Sequence, residues 1–275
     1  EIDQSLPAFR VILDARMVTG ATAAHVHDGD IGTNGGVVFG LTDVGDGTFV
    51  LGQTDLTAGL LNDLLSGEWY LNVHTPSNSS GEVRGQIVPD TTVVVTFPLS
   101  GLQEIPQVMS DAMGGGYALF DTTDNGVTLA VVTTGVADAT MAHIHTGFAG
   151  VNGTVLVALA QDTADVNLWT SGGELNLDQA TANLLLSGGH YVNVHTPANT
   201  SGELRGQITP ANIEVYGVVP SGEQEVPAVT TDASGTGAIT LNTSTGLIIG
   251  TINVFDISPT MAHIHVGEAG VNGGV

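Results

Sequence analysis

The sequence of 275 residues has no lysine, no cysteine and no long apolar run. Its basic residues are four arginines, against 28 aspartates and glutamates, so the net charge is −24. This balance excludes nucleic acid as a partner, because phosphate binding depends on clustered lysine and arginine. It also disfavours anionic membrane surfaces. No segment offers the roughly 20 apolar residues of a membrane-spanning helix.

The absence of cysteine excludes disulfides, thiolate metal sites and cysteine nucleophiles. Only 12% of the residues are charged and 42% are hydrophobic, which is too apolar for a disordered acidic chain. The 38 glycines separate short apolar segments, which is typical of a globular, β-rich protein. The sequence starts without a basic or apolar leader, so we expect a processed mature protein or an excerpt of a longer one. The acidic composition favours an extracellular or cell-surface location.

Several motifs recur along the chain at a spacing of about 120 residues, the size of a domain. Ala-His-x-His occurs three times, each time followed by a glycine turn, at residues 24–27, 142–145 and 262–265. Asn-Val-His-Thr-Pro occurs at 72–76 and 193–197, followed by Gly-Glu-x-Arg-Gly-Gln-Ile at 81–87 and 202–208. Gln-Glu-x-Pro occurs at 103–106 and 224–227.

These repeats predict a complete unit at 92–211 between two partial ones. The first, 1–91, lacks opening strands, and the third, 212–275, lacks a second half. Two explanations stay open. The chain is an excerpt of a longer array, or neighbouring chains complete one another by donating strands. Both predict a head-to-tail string of domains.

Local patterns predict mostly strands with one short helix per unit. In the complete unit, alternating or β-branched segments lie at 92–97, 127–133, 155–159 and 190–195. Leucines at 56, 60, 61, 64 and 65 have helical spacing and precede Gly67, and Asp178–Leu186 is the counterpart before Gly188. The predicted fold class is all-β: tandem antiparallel Greek-key or sandwich-like barrels, each with one short helix.

The ordered motifs quoted above resemble the CHRD domain, named after its copies in chordin. The resemblance spans the complete unit and nearly all of both partial ones. It implies an extracellular, barrel-like β domain, often in tandem, without a common assigned activity.

Histidines form the chemically most specific pattern. In a strand, His25 and His27 share one face, and alternation in 69–74 places His74 on the polar face of its own strand. If the two strands are neighbours, three imidazoles converge, which suits copper or zinc better than magnesium or calcium. The predicted metal ligands are His25, His27, His74, His143, His145, His195, and the unpartnered pair His263 and His265. His190 lies on the opposite face from His195 and is expected to pack in the core.

The histidine set also resembles the copper half of Cu,Zn superoxide dismutase, another Greek-key barrel. This resemblance implies copper as the cofactor, with zinc as second choice, and an anion-steering role for Arg84 and Arg205. No counterpart of a bridging ligand or zinc site is present, and a chain of charge −24 repels superoxide.

Two further groups are candidates. Glu82 with Arg84, and Glu203 with Arg205, are spaced to share a strand face, which predicts a structural ion-pair lock or support for the metal ligands. Candidate glycosylation sequons begin at Asn78, Asn152, Asn199 and Asn242, although asparagine in tight turns explains them equally well.

No catalytic constellation is complete, so the sequence favours a non-enzymatic, extracellular protein that forms or decorates an assembly. We expect a homo-oligomer or head-to-tail polymer, with other extracellular proteins as further partners. The alternative is a copper-binding redox protein that resembles superoxide dismutase.

Overall fold

Twenty strands, two α-helices and two 3₁₀ helices, Gly101–Gln103 and Gly222–Gln224, make up the regular structure of the described residues, 7–136 and 138–275, in a computed structural model. All strand pairs are antiparallel. The chain divides into two compact units, residues 1–92 and 93–275. This architecture confirms the predicted all-β class.

The first unit contains two antiparallel sheets and one helix. One sheet has the strand order β1-β5-β4 and the other β3-β2-β6-β7. The elements are β1 Ala8–Asp14, β2 Ala23–Asp28, β3 Val37–Gly40, β4 Thr42–Gly45, β5 Thr48–Asp55, α1 Ala58–Leu65, β6 Trp69–His74 and β7 Val83–Ile87.

The second unit contains a ten-stranded sheet that curls into a nearly closed barrel, in the order β12-β11-β16-β17-β8-β9-β10-β14-β13, with β15 beside β10. A separate sheet follows in the order β18-β19-β20. The elements are β8 Thr92–Ser100, β9 Met113–Asp121, β10 Gly126–Thr134, β11 Met141–Thr146, β12 Val155–Ala158, β13 Ala160–Gln161, β14 Leu168–Thr170, β15 Leu175–Asn176, α2 Gln179–Leu186, β16 His190–His195, β17 Leu204–Gln207, β18 Ile213–Val218, β19 Ser234–Asn242 and β20 Ile248–Phe255.

Both short helices form where leucine spacing predicts them. The Asp178 side chain caps α2 by accepting a hydrogen bond of 2.7 Å from the Thr181 amide, which satisfies a free amide of the first turn. Both helices end before a glycine with positive φ, Gly67 at 73° and Gly188 at 78°. Neither of these eight-residue helices has the length and hydropathy of a membrane span.

Strand alternation separates an apolar core from a polar outer face. Val192 and Val194 of β16 are fully buried in the barrel core, together with Leu204 of β17. Residues of opposite parity, Tyr191 and Asn193, point to the other side of the sheet. The predicted assignment of the histidine strands, with alternate residues facing away from the core, is therefore confirmed.

His190 lies in the core, as its parity predicts. It is 0% exposed, and neither ring nitrogen has a hydrogen-bond partner among the described residues. Trp69, which has the same position in β6, is also fully buried. Burial lowers the pKa of His190 from 6.5 to about 4, because the charged imidazolium is costly in an apolar core.

This pKa predicts a pH-dependent stability. The unfolded chain binds the His190 proton below about pH 6.5, whereas the folded chain binds it only near pH 4. The contribution is therefore intact above pH 6.5 and lost as the pH falls towards 4, by about 3 kcal/mol in total. Denaturant unfolding of wild type and His190→Phe between pH 4 and 7 measures it. If the free energies of unfolding of the two proteins change with pH in the same way, the lowered pKa of His190 is contradicted.

Candidate metal centres

Strand pairing brings three histidines together twice. His25 and His27 lie on β2, and β2 pairs with β6, which ends at His74. These three residues are called the first site. The equivalent pairing of β11 with β16 forms the middle site, which consists of His143, His145 and His195.

The imidazoles of each site are close enough to share one ion. In the middle site Nδ1 of His143 lies 3.1 Å from Nε2 of His195, and the ring centroids are 5.0 to 6.3 Å apart. In the first site Nδ1 of His25 lies 2.9 Å from Nε2 of His74, with centroids 4.8 to 6.0 Å apart. In both sites one nitrogen from each histidine lies within 4.8 Å of the other two. Three neutral nitrogen donors match the preferences of copper and zinc.

Backbone carbonyls select the tautomers of two histidines per site. In the middle site Nδ1 of His145 donates to the Gly153 carbonyl and Nδ1 of His195 to the Thr200 carbonyl, both at 3.0 Å. A carbonyl oxygen only accepts, so each Nδ1 carries the proton and each Nε2 keeps its lone pair. The first site has the same two bonds at 3.0 Å, from His27 to Gly35 and from His74 to Ser79.

The lone pairs freed in this way face the centre of each site. Nε2 of His27 and Nε2 of His145 are buried and lack a hydrogen-bond partner within the described ranges. Leaving such an atom unpaired costs roughly 1–3 kcal/mol, which a bound ion would offset. Burial also lowers the pKa values of His25, His145 and His195, which favours the neutral imidazole that binds metal.

The glycine turn after each His-x-His strand is a steric requirement of this geometry. A Cβ on Gly153 would lie 1.5 Å from the Thr146 carbonyl oxygen, and a Cβ on Gly35 would lie 1.2 Å from that of Asp28. Only glycine allows the chain to fold back so closely that its own carbonyl reaches the ligand imidazole. The motif therefore encodes a hydrogen bond as well as a turn.

A tyrosine and an arginine stack behind one ligand of each site. The Tyr191 ring is parallel to the His145 ring within 13°, at a centroid distance of 4.9 Å. The Arg205 guanidinium carbon lies 3.5 Å from the centroid of the same tyrosine ring. In the first site Tyr70 stacks on His27 at 4.9 Å and 11°, and Arg84 lies 3.4 Å from its centroid.

Each arginine also binds a loop of its own unit. A carbonyl of this loop accepts the hydrogen bond from the histidine that is stacked on the tyrosine. Arg205 donates to the carbonyls of Phe148 at 3.1 Å and Val151 at 2.9 Å. Its side chain is 1% exposed, and burial lowers its pKa. In the first unit Arg84 donates to the Asp30 carbonyl at 2.9 Å and to that of Thr33. The anion-steering role that the superoxide dismutase resemblance implied does not fit a buried Arg205.

The glutamates of this motif have other partners, so the expected Glu-Arg lock takes a different form. Glu203 accepts hydrogen bonds from Ser110, Asn199 and Thr196, and these bonds lower its pKa, led by that from Ser110. Glu82 accepts from Asn78 at 2.5 Å and Thr75 at 2.8 Å, and these bonds lower its pKa, led by that from Asn78. Each glutamate thus closes the turn after the third histidine, while the arginine holds the loop after the second.

Glu104 belongs to the polar layer over the middle unit, and sequence reasoning did not identify it as a site residue. It is 4% exposed, and its two carboxylate oxygens lie 2.9 and 3.1 Å from Nδ2 of Asn193, which donates to them. Burial raises its pKa to about 7, although Arg205 and the Asn193 bond act in the opposite direction. The recurrence of Gln-Glu-x-Pro at Glu225 was the signal that could have found it.

The third histidine pair has the geometry of the others but no third member. The rings of His263 and His265 are 5.7 Å apart, and Nδ1 of His265 lies 3.0 Å from the Gly273 carbonyl. Both side chains are exposed. Among the described residues, only the first and middle sites form groups of three.

The four sequon asparagines take part in hydrogen bonds, which are local for three of them and long-range for Asn152. Asn78 and Asn199 donate to the glutamates described above, and Asn152 donates to the Ile105 carbonyl at 2.7 Å. Asn242 accepts from two backbone amides in a turn. These contacts favour the turn interpretation, and glycosylation stays a prediction.

The repeated sites and their shared supporting residues agree with the family comparison. The CHRD domain model matches residues 1–87, 95–208 and 216–275. The chain belongs to the CHRD domain family. No curated protein and no solved structure matches the chain. CHRD membership therefore supports the tandem organisation, whereas the similarity to superoxide dismutase is not shown.

The carbonyl bond predicts the tautomer of His145. In the wild type, long-range ¹H–¹⁵N NMR at neutral pH should show protonated Nδ1 and unprotonated Nε2. In Gly153→Ala the added Cβ must displace the turn, so we expect a mixture of tautomers and a loss of roughly 1–3 kcal/mol in stability. Gly115→Ala is the control, because its Cβ meets no atom within 4 Å. An unchanged His145 tautomer in Gly153→Ala would refute the role of this turn.

Proposed function

We propose that this chain is an extracellular, non-enzymatic CHRD-domain protein whose first and middle sites each bind one transition-metal ion. Copper is the first choice and zinc the second. Family membership and the strongly acidic composition support the extracellular location.

The observation that carries the metal proposal is the pair of buried, unpartnered Nε2 atoms held by carbonyl bonds. A histidine that only packs or caps a loop has no need of a fixed lone pair directed at two other imidazoles. The bond from His145 to Gly153, and its equivalent from His27 to Gly35, leave these two Nε2 atoms without a proton and without a partner. A carbonyl-bonded Nδ1 is the usual support of a histidine metal ligand.

The donor set also limits which ion fits. Three imidazoles offer no oxygen, which argues against magnesium and calcium. Copper and zinc both accept three nitrogens and leave an open position for water or another ligand. In the described chain, Nδ1 of His143 donates to Nε2 of His195, because the other nitrogen of His195 carries the proton. Metal binding would break this hydrogen bond, and His143 would present Nδ1 once its proton has shifted to Nε2 of the same ring, so that the ligand stays a neutral imidazole.

Metal stoichiometry tests the proposal. We expect about two copper or zinc ions per chain after equilibrium loading and removal of excess, since each complete site holds one. His74→Ala and His195→Ala should each retain about one ion, and the double variant should retain none. Elemental analysis and competition with a chromophoric chelator give the numbers.

The matched control for this experiment is His265→Ala, from the pair without a third member. It should leave two ions per chain. Retention of both ions by the His74→Ala, His195→Ala double variant would remove the proposed ligand set.

The proposed assembly is supported by the apolar face of the β18–β20 sheet. Tyr216 is 50% exposed, Ile248 56% and Ile252 44%. Their counterparts in the repeat, Val95, Val127 and Val131, are buried in the core of the barrel. An apolar face of this kind favours association. Head-to-tail contact between chains through this face is the arrangement we propose.

Self-association of the 275-residue chain tests this arrangement. Ile252→Asp should raise the dissociation constant at least about tenfold, because a charge is costly in an apolar interface. Met17→Asp, at a residue that is 95% exposed in the first unit, is the control. Sedimentation equilibrium measures both. A chain that stays monomeric at all concentrations would contradict the assembly.

The alternative function is a copper redox protein, and the open position beside three histidines favours it. The charge of −24 acts against it for an anionic substrate, since the field of the protein repels superoxide. Catalytic consumption of superoxide by the copper-loaded chain distinguishes this alternative from static metal binding.

A further inference from the structure

Behind the middle site, a cation and two aromatic rings form one column. Arg205 lies over one face of Tyr191, and His145 is stacked on that ring. The tyrosine hydroxyl accepts a hydrogen bond of 3.0 Å from the Gly153 amide, and the Gly153 carbonyl accepts from His145. The arginine is therefore joined to the ligand through a stack and through a loop.

We infer that Arg205 is a positioning residue that also favours the lower charge state of the bound metal, Cu(I) over Cu(II). This inference rests on the proposed metal binding and adds a preference for oxidation state. The corresponding residue at the first site is Arg84, over Tyr70.

The positioning effect follows from the hydrogen bonds of Arg205. Its guanidinium holds the carbonyls of Phe148 and Val151, so the loop cannot move away from His145. Gln207, which accepts from Arg205 at 3.1 Å, donates to the Gly147 and Gly188 carbonyls at 2.8 and 2.7 Å. Through Arg205 and Gln207, β17 therefore holds both the loop that follows β11 and the turn at Gly188.

The charge effect follows from burial. The Arg205 charge is 1% exposed, and its hydrogen-bond partners in the described chain are carbonyl and amide oxygens, not carboxylates. The repulsion between the Arg205 charge and a metal ion at the middle site is therefore poorly screened. Cu(I) carries one positive charge fewer than Cu(II), so it is repelled less. The three ligands are neutral imidazoles, which add no compensating negative charge.

Glu104 is the carboxyl group that opposes this effect. Its charge acts on Arg205, and its burial raises its pKa to about 7, so it compensates the arginine incompletely. Removing the arginine charge and removing the glutamate charge should therefore change the copper preference in opposite directions. A purely structural role for both residues predicts no such opposition.

The experiment uses the His74→Ala chain, which leaves the middle site as the complete group among the described residues. Cu(I) and Cu(II) affinities are measured by competition at one pH, and the reduction potential by redox titration. In Arg205→Gln, we expect the ratio of Cu(II) to Cu(I) affinity to rise about tenfold, which corresponds to about 59 mV for a one-electron couple. In Glu104→Gln the ratio should fall.

Two further variants separate charge from position. Arg205→Lys keeps the charge and loses the planar stack, so it should keep the oxidation-state ratio near that of the parent while both affinities fall and the Cu(II) EPR parameters change. Arg10→Gln removes the same charge from an exposed arginine of β1 and should change nothing. If Arg205→Gln does not fold, Glu104→Gln decides the test, because a ratio that does not fall in this variant overturns the inference, whereas Arg84 at the first site is exposed and its charge is screened by solvent.

The outcomes are distinct. Opposite shifts in Arg205→Gln and Glu104→Gln support the inference. The inference is overturned if the ratio of Cu(II) to Cu(I) affinity shifts in the same direction in both variants, or stays unchanged in folded Arg205→Gln. Either result leaves the proposed metal binding intact. Failure of the parent His74→Ala chain to bind copper overturns the inference, and failure to bind either copper or zinc refutes the proposed function itself.

Discussion

Antiparallel pairing between the His-x-His strand and the strand that ends in the third histidine is the constraint on which both sites depend. In the register of β11 and β16, His145 lies opposite Tyr191 and His143 opposite Asn193. The pleat sends these side chains outward and sends the intervening apolar residues into the core. A slip of one residue would exchange the two sets, so burial of the core fixes the position of the histidines.

The outer face of this sheet is covered, which is unusual for the polar side of an antiparallel pair. β17 adds Arg205 and Gln207 to the layer, and Gln103 and Glu104 lie over it, since the Gln207 amide donates to Gln103 at 3.1 Å. All of these groups find hydrogen-bond partners, as buried polar groups must. The atoms without partners in the described layer include Nε2 of His145. Oδ1 of Asn193 in the same layer also lacks a partner, but of these two residues only His145 belongs to a group of three candidate metal ligands.

Charge is distributed unevenly between surface and site. The chain has 28 acidic residues and four arginines, yet two of those arginines lie in the repeated motif beside the histidines. A carboxylate ligand would have been easy to supply from this composition. The three candidate ligands are instead imidazoles, and a buried arginine is stacked on the tyrosine beside one of them. This arrangement favours an ion that needs little negative charge from its ligands.

Motifs alone determined much of this protein. Period-two alternation predicted the strands and the outward face of the histidines, leucine spacing with Asp178 and Gly188 predicted a helix, and repetition identified the CHRD domain. Spacing could not show that Arg205 binds loop carbonyls and stacks on Tyr191 while Glu203 binds Ser110, because neighbouring residues of one motif take partners from distant segments. Nor could it reveal Glu104 or the tautomer of His145. Those features depend on which carbonyls and rings the folded chain brings within 3 to 5 Å, and only the tertiary structure decides that.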